Sequence, residues 1–225
     1  VQSWSQKSYL PGIEKKPDEI VQNFSETIKR ELMEHQSESL ENWKDNDYFG
    51  IIKHATGSGK TFTGINGLKI WLKLQNIAIV LVPSVLLLEQ WIEEIEYEIE
   101  GIDLVKVGGG ESKSNWLPIL RFLTSKNTDK KTIVVSTIGT ALTDDFLNSI
   151  NWGKHILLLI DEVHNIGSPK SRLLLEYNVG GALGLSATPE RYGDEEGTKS
   201  IYSFFGKILQ PEFSLTDAIE AGRLV

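Results

Sequence analysis

The sequence has 225 residues, of which 40% are hydrophobic and 24% charged, a composition typical of a globular domain that can bury a full core. It has no cysteine, which excludes disulfides, thiolate metal sites and cysteine nucleophiles. The formal net charge of −8 argues against binding nucleic acid through a broadly basic surface, so any such contact must be local.

Residues 1–27 read as a linker or the end of an upstream region, because they are polar and are interrupted by Pro11-Gly12 and Pro17. Residues 28–225 are predicted to form one domain. No apolar run approaches the ~20 residues that a membrane helix needs, so we expect a cytoplasmic protein without a membrane partner. The chain starts at a valine and Met33 is its single methionine, so we expect a piece of a longer protein.

Residues 26–43 have apolar residues at helical spacing, and beyond them short apolar runs alternate with further helical patterns. The predicted strands are residues 50–54, 77–82, 104–107, 132–136, 156–160 and 183–186. The predicted helices are residues 61–74, 85–99, 114–123, 140–150 and 170–176. Apolar strands that alternate with helices indicate a parallel sheet covered on both faces. The sequence therefore predicts a three-layer α/β/α sandwich with a mostly parallel sheet, whose ligands bind at the carboxyl ends of the strands.

A glycine-rich stretch, residues 55–61, lies between the first predicted strand and the following helix, which is the context of a phosphate-binding loop. Its glycines let backbone N–H groups turn inward, and the helix N-terminus favours negative charge. Lys60 is predicted to contact the β- and γ-phosphates, and Thr61 to bind Mg²⁺. The alternative is a turn that only caps a helix, and His54 stands where the full pattern has glycine. The predicted ATP-binding residues of the loop are Thr56, Gly57, Ser58, Gly59, Lys60 and Thr61.

Two further polar groups follow the ends of predicted strands. Asp161 and Glu162 come directly after the run 156–160, although an Asp-Glu pair alone is more often an ordinary start of a loop. Asp161 is placed to reach Mg²⁺ directly or through water, and Glu162 to orient or deprotonate a water aimed at the γ-phosphate. Ser186 and Thr188 end another strand, where their hydroxyls are predicted to hydrogen-bond these acids.

These three motifs, in this order, resemble those of the first RecA-like motor domain of superfamily 2 helicases and translocases, a P-loop NTPase fold. The resemblance covers residues 28–225. Residues 55–61 match motif I, in which the place of His54 need not be glycine. The stretch from Asp161 to His164 is a variant of the Asp-Glu-Ala-His box, and the stretch from Ser186 to Thr188 matches motif III.

Other stretches extend this resemblance. Residues 82–91 resemble motif Ia, and residues 136–142 resemble motif Ib, which in relatives contacts the nucleic-acid backbone. The tail from Tyr202 is similar to the end of the first motor domain in one branch of the superfamily. This branch contains restriction-enzyme motor subunits and DNA-repair translocases. By comparison with that branch, Gln36 would recognise adenine, and Phe24 is a candidate for stacking on the adenine ring. The alternative for Gln36 is an ordinary solvated residue, which is what a glutamine on an amphipathic helix usually is.

The resemblance implies an ATPase that uses Mg²⁺ and acts on nucleic acid, DNA rather than RNA, together with a second motor domain of the full-length chain that carries arginine fingers. Without that domain we expect weak Mg-ATP binding and poor hydrolysis. The implied catalytic residues are Lys60, Asp161 and Glu162, with Thr61 and Asp161 at the metal. His164, Ser186 and Thr188 would couple the motifs, and Ser84 and Thr137 would contact nucleic acid.

Alternatives remain open at this stage. Ser84 and Thr137 fit ordinary turn chemistry as well as nucleic-acid binding. A second hypothesis is that the chain is a P-loop ATPase that does not act on nucleic acid, although such enzymes usually lack the Ser-Ala-Thr motif. A nucleotide-sensing module with decayed motor activity is a third.

Overall fold

A computed structural model describes residues 30–126 and 128–222, and these contain a seven-stranded sheet. The strands are β1 (Phe49–His54), β2 (Ile77–Val82), β3 (Asp103–Val107), β4 (Thr132–Thr137), β5 (Gly153–Asp161), β6 (Val179–Ser186) and β7 (Ile208–Phe213). Their spatial order is β3-β4-β2-β5-β6-β1-β7, and every pairing is parallel. All carboxyl ends therefore lie along one edge of the sheet.

Helices cover both faces of the sheet. They are α1 (Glu34–Asp45), α2 (Lys60–Trp71), α3 (Val85–Glu98), α4 (Lys113–Leu123), α5 (Ile138–Ala141), α6 (Asp144–Ser149), α7 (Glu195–Phe205) and α8 (Leu215–Glu220). Helices α1, α2 and α3 contact one another in turn on one face, while α4 and α6 pack together on the other face. The predicted α/β sandwich is confirmed. Among the residues that the structure describes, no helix is long and apolar enough to cross a membrane.

The central strands are buried because both faces of the sheet are covered. Every residue of β2 and of β4 is buried, as are residues 156–161 of β5. Strand β2 lies between the other two, with Ile77 opposite Thr132 on one side and Ile156 on the other. Runs of valine, isoleucine and leucine suit such doubly covered positions, which explains why the sequence predicted these strands correctly.

Three predicted helices differ from the observed ones. The described part of the first begins at Glu34, because Met33 is extended (φ −70°, ψ 159°). The predicted helix 140–150 is two helices, because the hydroxyl of Thr143 accepts a hydrogen bond from the N–H of Phe146 (3.4 Å) and starts a new one. The segment Ser171–Glu176 forms a 3₁₀ helix. Residues 26–29, Phe24 and the proposed boundary after residue 27 lie outside the described residues.

Strand β7 and helices α7 and α8 were missed by the sequence analysis. Strand β7 is an edge strand beside β1, and it contains Gln210, Pro211 and Glu212. A polar strand with a proline gives no apolar signal, and proline is tolerated at an edge because one side of the strand needs no partner. Contacts divide the chain between Leu32 and Met33, and the sheet belongs entirely to the second unit.

Candidate active site

The glycine-rich loop joins β1 to α2 in a tight turn. Gly57 (φ 81°) and Gly59 (φ 80°) both adopt the left-handed conformation that favours glycine. The N–H of Ser58 donates to the carbonyl of Ala55 (3.2 Å), which closes the turn. The loop leads directly into the N-terminus of α2, where the helix dipole favours negative charge.

The lysine and the hydroxyls of the loop are available to a ligand. Lys60 Nζ lies 3.4 Å from the carbonyl of Ala55 and 3.9 Å from Glu162 Oε1, so its charge rests over the loop. Thr61 is partly exposed on the first turn of α2. The buried Ser58 hydroxyl has no hydrogen-bond partner among the described residues. A polyphosphate oxygen is the kind of acceptor that the Ser58 hydroxyl lacks.

His54 is fully buried at the end of β1, and this explains its departure from the glycine of the full pattern. Its ring packs against His35 of α1 (centroids 4.8 Å apart), and its Nε2 lies 3.1 Å from the hydroxyl of Ser39 and 3.3 Å from the carbonyl of Pro211. Burial, and then the nearby His35, lower the pKa of His54 to about 4. The imidazole directly before the loop is therefore buried and neutral. This position has room for a side chain, so it does not require glycine.

Gln36 reaches the loop from α1. Its Nε2 donates to the carbonyls of Ser58 (3.0 Å) and Gly59 (3.3 Å), and its Oε1 accepts from the N–H of Met33 (2.9 Å). A side chain on Gly59 would lie 2.7 Å from Gln36 Nε2, so the glycine is also needed for space. Gln36 is buried and not a solvated surface residue. Adenine recognition by Gln36 stays a prediction, and it would require the amide to exchange these main-chain bonds.

Asp161 ends β5 with both carboxylate oxygens engaged. Oδ2 accepts a hydrogen bond from the indole N–H of Trp91 (2.9 Å), and Oδ1 accepts one from the N–H of Glu162 (2.9 Å). Burial raises the pKa of Asp161, while the Trp91 hydrogen bond opposes that rise. The carboxylate is thus oriented by two fixed donors and retains lone pairs for a further ligand.

Glu162 is held by Ser186 of motif III and by His164 of its own motif. Its Oε2 lies 3.4 Å from the hydroxyl of Ser186 and 3.6 Å from Nδ1 of His164, and these two partners are themselves 3.1 Å apart. The N–H of Thr188 donates to the Ser186 hydroxyl (3.1 Å). Glu162 has positive φ (49°), an uncommon conformation for a residue other than glycine. The three motifs predicted from the sequence therefore meet at one edge of the sheet, although Thr188 contributes its backbone rather than its hydroxyl to this network.

Ser84 and Thr137 follow the neighbouring strands β2 and β4 at the same edge. Each caps a helix: the Ser84 hydroxyl accepts from the N–H of Leu87 (3.3 Å), and that of Thr137 from the N–H of Thr140 (3.3 Å). Ser84 is exposed and Thr137 is 9% exposed. Their capping contacts are ordinary turn chemistry, and a role in nucleic-acid binding stays a prediction.

Comparison with known families agrees with this geometry. The sequence model of the family described as "Type III restriction enzyme, res subunit" matches residues 29–191. The chain belongs to this family. The res-subunit match, together with the relatives described next, confirms the resemblance to the first RecA-like motor domain of superfamily 2 helicases and translocases.

A curated relative supports the same assignment, and two solved structures share the fold. A DNA 3'-5' translocase, XPB2 from Sulfurisphaera tokodaii, is 30% identical over 77% of this chain and 34% of its own length. The type ISP restriction-modification enzyme LlaGI, solved with a DNA substrate mimic, shares 19% identity over 86% of this chain and 21% of its own, with a TM-score of 0.62. The SWI2/SNF2 ATPase core of Sulfolobus solfataricus, in complex with dsDNA, shares 22% identity over 79% and 36%, with a TM-score of 0.60. These two structures establish the fold alone, and the chain spans about a third of the curated relative's length.

The residues of this res-subunit domain fit Mg²⁺ with a nucleotide. The described residues contain no cluster of three His, Asp or Glu side chains that would hold a metal alone. Mg²⁺ is commonly bound by one or two protein groups, phosphate oxygens and water, so a site of Thr61 and Asp161 with phosphates is compatible with these residues and stays a prediction. A cavity of about 420 Å³ opens beside the loop, between Thr56, Thr188 and Phe213.

Two residues at this site were missed by sequence reasoning. Trp91 was noted only as part of motif Ia, and its apolar spacing on α3 indicates a core residue. Arg191 donates from Nη1 to the carbonyl of His164 and from Nε to Asp194 (2.8 Å), which ties the segment after motif III to the Asp-Glu-Val-His turn. The contacts of Trp91 with Asp161 and of Arg191 with His164 leave no local sequence signal, because each joins residues far apart in the chain.

Proposed function

We propose that this chain is the ATP-binding half of a nucleic-acid-dependent ATPase, a superfamily 2 helicase or translocase that acts on DNA. The observation that carries the proposal is the meeting of Lys60 and Glu162, whose Nζ and Oε1 lie 3.9 Å apart although about 100 residues separate them in the sequence. A phosphate loop that faces a carboxylate held by His164 of its own motif and by Ser186 of motif III is an arrangement suited to nucleotide hydrolysis.

Within this proposal each side chain has a distinct task. Backbone N–H groups of residues 56–61 and the ammonium of Lys60 bind the β- and γ-phosphates. Thr61 and Asp161 hold Mg²⁺, which when bound neutralises charge that develops on the phosphate oxygens. Glu162 orients the attacking water and accepts its proton.

The coupling role falls to the residues around Glu162. Ser186 and His164 both contact its carboxylate, so a shift of the segment after β6 moves the group that handles the water. In a motor, this segment would change position between the ATP-bound and ADP-bound states and so transmit the change to the rest of the protein. The backbone N–H of Thr188, bonded to Ser186, continues the same chain of contacts.

DNA as the track is supported by the relatives and by position. The name of the S. tokodaii relative specifies a DNA translocase. Ser84 and Thr137 end adjacent strands, since Val82 pairs with Thr137 in the sheet, and their neighbouring N–H groups suit phosphate contacts. Such contacts need no basic surface, which agrees with a chain of net charge −8.

The second motor domain belongs to the proposal as the source of arginine fingers from outside these 225 residues. Such fingers are worth about 10³–10⁵ in turnover in well-studied phosphoryl-transfer enzymes. We therefore expect this chain alone to bind Mg-ATP weakly and to hydrolyse it poorly. A turnover equal to that of the full-length protein and unchanged by nucleic acid would contradict this expectation.

The test is ATP hydrolysis by the full-length protein with duplex DNA, single-stranded DNA, RNA or no nucleic acid. Stimulation by DNA that is lost in Lys60→Ala, and kept in the exposed control Lys170→Ala, supports the proposal. Hydrolysis that is indifferent to every nucleic acid indicates a P-loop ATPase of another kind. Nucleotide binding without hydrolysis under any condition indicates a nucleotide-sensing module.

A further inference from the structure

We propose that Trp91 is a positioning residue whose indole N–H holds the Asp161 carboxylate in the orientation that receives Mg²⁺, and that it ties this orientation to helix α3. The inference rests on the proposed function, because it concerns the same Mg-nucleotide site. It assigns a task to a residue that otherwise reads as part of the hydrophobic core.

The contact is buried and specific. Trp91 is fully buried and Asp161 is 4% exposed, and the indole nitrogen lies 2.9 Å from Oδ2. The other oxygen accepts from the N–H of Glu162 (2.9 Å). Two donors from different elements therefore fix both the position and the rotation of the carboxylate. Outer donors of this kind usually determine how well a ligand carboxylate presents itself to a metal.

The indole ring is itself held in place by its neighbours. A side chain on Gly64, in the middle of α2, would lie 2.7 Å from Cη2 of Trp91 and 2.9 Å from Leu185 Cδ1. Glycine is unfavourable inside a helix, and here it leaves the space that the ring fills. The ring thus packs against the helix that follows the phosphate loop, which leaves it little freedom to turn away from Asp161.

Helix α3 connects this contact to the proposed DNA-facing edge. The helix begins after its cap Ser84, and Trp91 lies seven residues further, about two turns or roughly 10 Å along the axis. A displacement of α3 along its axis would carry the indole nitrogen with it and change its distance to Oδ2. We infer that strain on the Ser84 end of α3 alters Mg²⁺ binding through this single hydrogen bond.

The experiment compares Trp91→Phe with Trp71→Phe in this chain. Phenylalanine keeps a buried ring but removes the N–H donor. Trp71 is the matched control, because it is also buried and its indole N–H donates to the carbonyl of Ile77 (2.9 Å), at the opposite edge of the sheet. The probe is ADP with a fluorescent group on the ribose, excited outside the tryptophan band and titrated in EDTA and over a range of Mg²⁺ concentrations.

We expect Trp91→Phe to raise the Mg²⁺ concentration for half-maximal effect by about 10- to 100-fold, the range typical of lost outer donors, without changing ADP affinity in EDTA. Trp71→Phe should leave both quantities at the wild-type values. Equal Mg²⁺ dependence in Trp91→Phe and wild type would overturn the inference while leaving the proposed function intact. A wild-type chain that binds ADP under no condition would overturn both.

If Trp91→Phe does not fold, the wild-type chain decides the matter by NMR of its indole N–H groups. Addition of Mg²⁺ to the ADP-bound chain should shift one buried indole resonance and leave the others in place. The inference is wrong if every indole resonance keeps its position when Mg²⁺ binds.

Discussion

Acidification should destabilise this protein through His54, the buried residue below the phosphate loop. Burial and the neighbouring His35 lower its pKa from 6.5 to about 4. Between pH 6.5 and pH 4 the His54 imidazole is therefore protonated in the unfolded chain but remains neutral in the folded chain. The contribution of His54 is fully present above pH 6.5, declines as the pH falls toward 4 and changes no further below that.

The size of the effect follows from the two pKa values. The gap between 6.5 and about 4, at 1.36 kcal/mol for each pH unit, corresponds to about 3 kcal/mol of unfolding free energy. Lys60 also acts on His54, and it too disfavours the charged imidazole. The carbonyl of Pro211 acts in the opposite sense, because it accepts a hydrogen bond from the ring. A loss of 3 kcal/mol is a large share of the stability of a typical domain.

The assay is urea unfolding of wild type and His54→Gln at intervals between pH 7.5 and pH 4. Over this range the free energy of unfolding of wild type should fall by up to about 3 kcal/mol more than that of the variant, because glutamine does not titrate. Asn42→Ala is the control: it removes a hydrogen bond from helix α1, which packs against His54 through His35, to the carbonyl of Gln210 (2.8 Å), but it removes no titratable group. It should lower stability by the same amount at each pH. Parallel curves for wild type and His54→Gln would refute the reasoning.

Two further variants test the site itself. Glu162→Gln keeps the shape of the side chain but cannot accept a proton, so we expect ATP hydrolysis by the full-length protein to fall about 10²- to 10⁴-fold while nucleotide binding persists. Loss of binding in this variant, or a similar fall in the exposed control Glu176→Gln, would contradict that role. Gln36→Ala leaves the Ser58 carbonyl and the Met33 N–H without their partner, so urea unfolding should show a loss of about 1–3 kcal/mol. An unchanged unfolding midpoint would show that these bonds do not stabilise the loop, and an unchanged preference for ATP over GTP would count against adenine recognition.

Much of the fold could be predicted from the sequence because its central strands have a single simple environment. Strands β2, β4 and β5 are covered on both faces, and their unbroken apolar runs indicate this environment. Edge strand β7 has a mixed environment and a mixed sequence, so its pattern carries no comparable signal. The same difference separates α2, which packs on the sheet, from the two short helices α5 and α6, where a threonine cap interrupts an otherwise continuous helical pattern.

The candidate site could be predicted in part for a related reason. Parallel strands bring their carboxyl ends to one edge, so Lys60, Asp161 and Ser186 had to lie near each other once the strands were assigned. The partners of these residues do not follow from topology. Gln36 contacts the loop carbonyls because α1 packs against α2, and that packing is a property of three-dimensional shape. His54 presented a mismatch with the full phosphate-loop pattern, and its packing against His35 of α1 and Phe213 of β7 shows how a side chain is accommodated there.

Trp91 marks the boundary of what a sequence pattern can convey. A buried tryptophan at helical spacing satisfies the hydrophobic pattern completely, so nothing in that pattern requires a second task for it. Its single polar atom is costly to leave unpaired once the ring is buried, which favours a hydrogen-bond acceptor for it. Buried Trp43 and Trp71 meet this requirement with main-chain carbonyls, whereas Trp91 meets it with the carboxylate of Asp161. The choice of acceptor, and not the burial of the ring, is what distinguishes a residue of the site from a residue of the core.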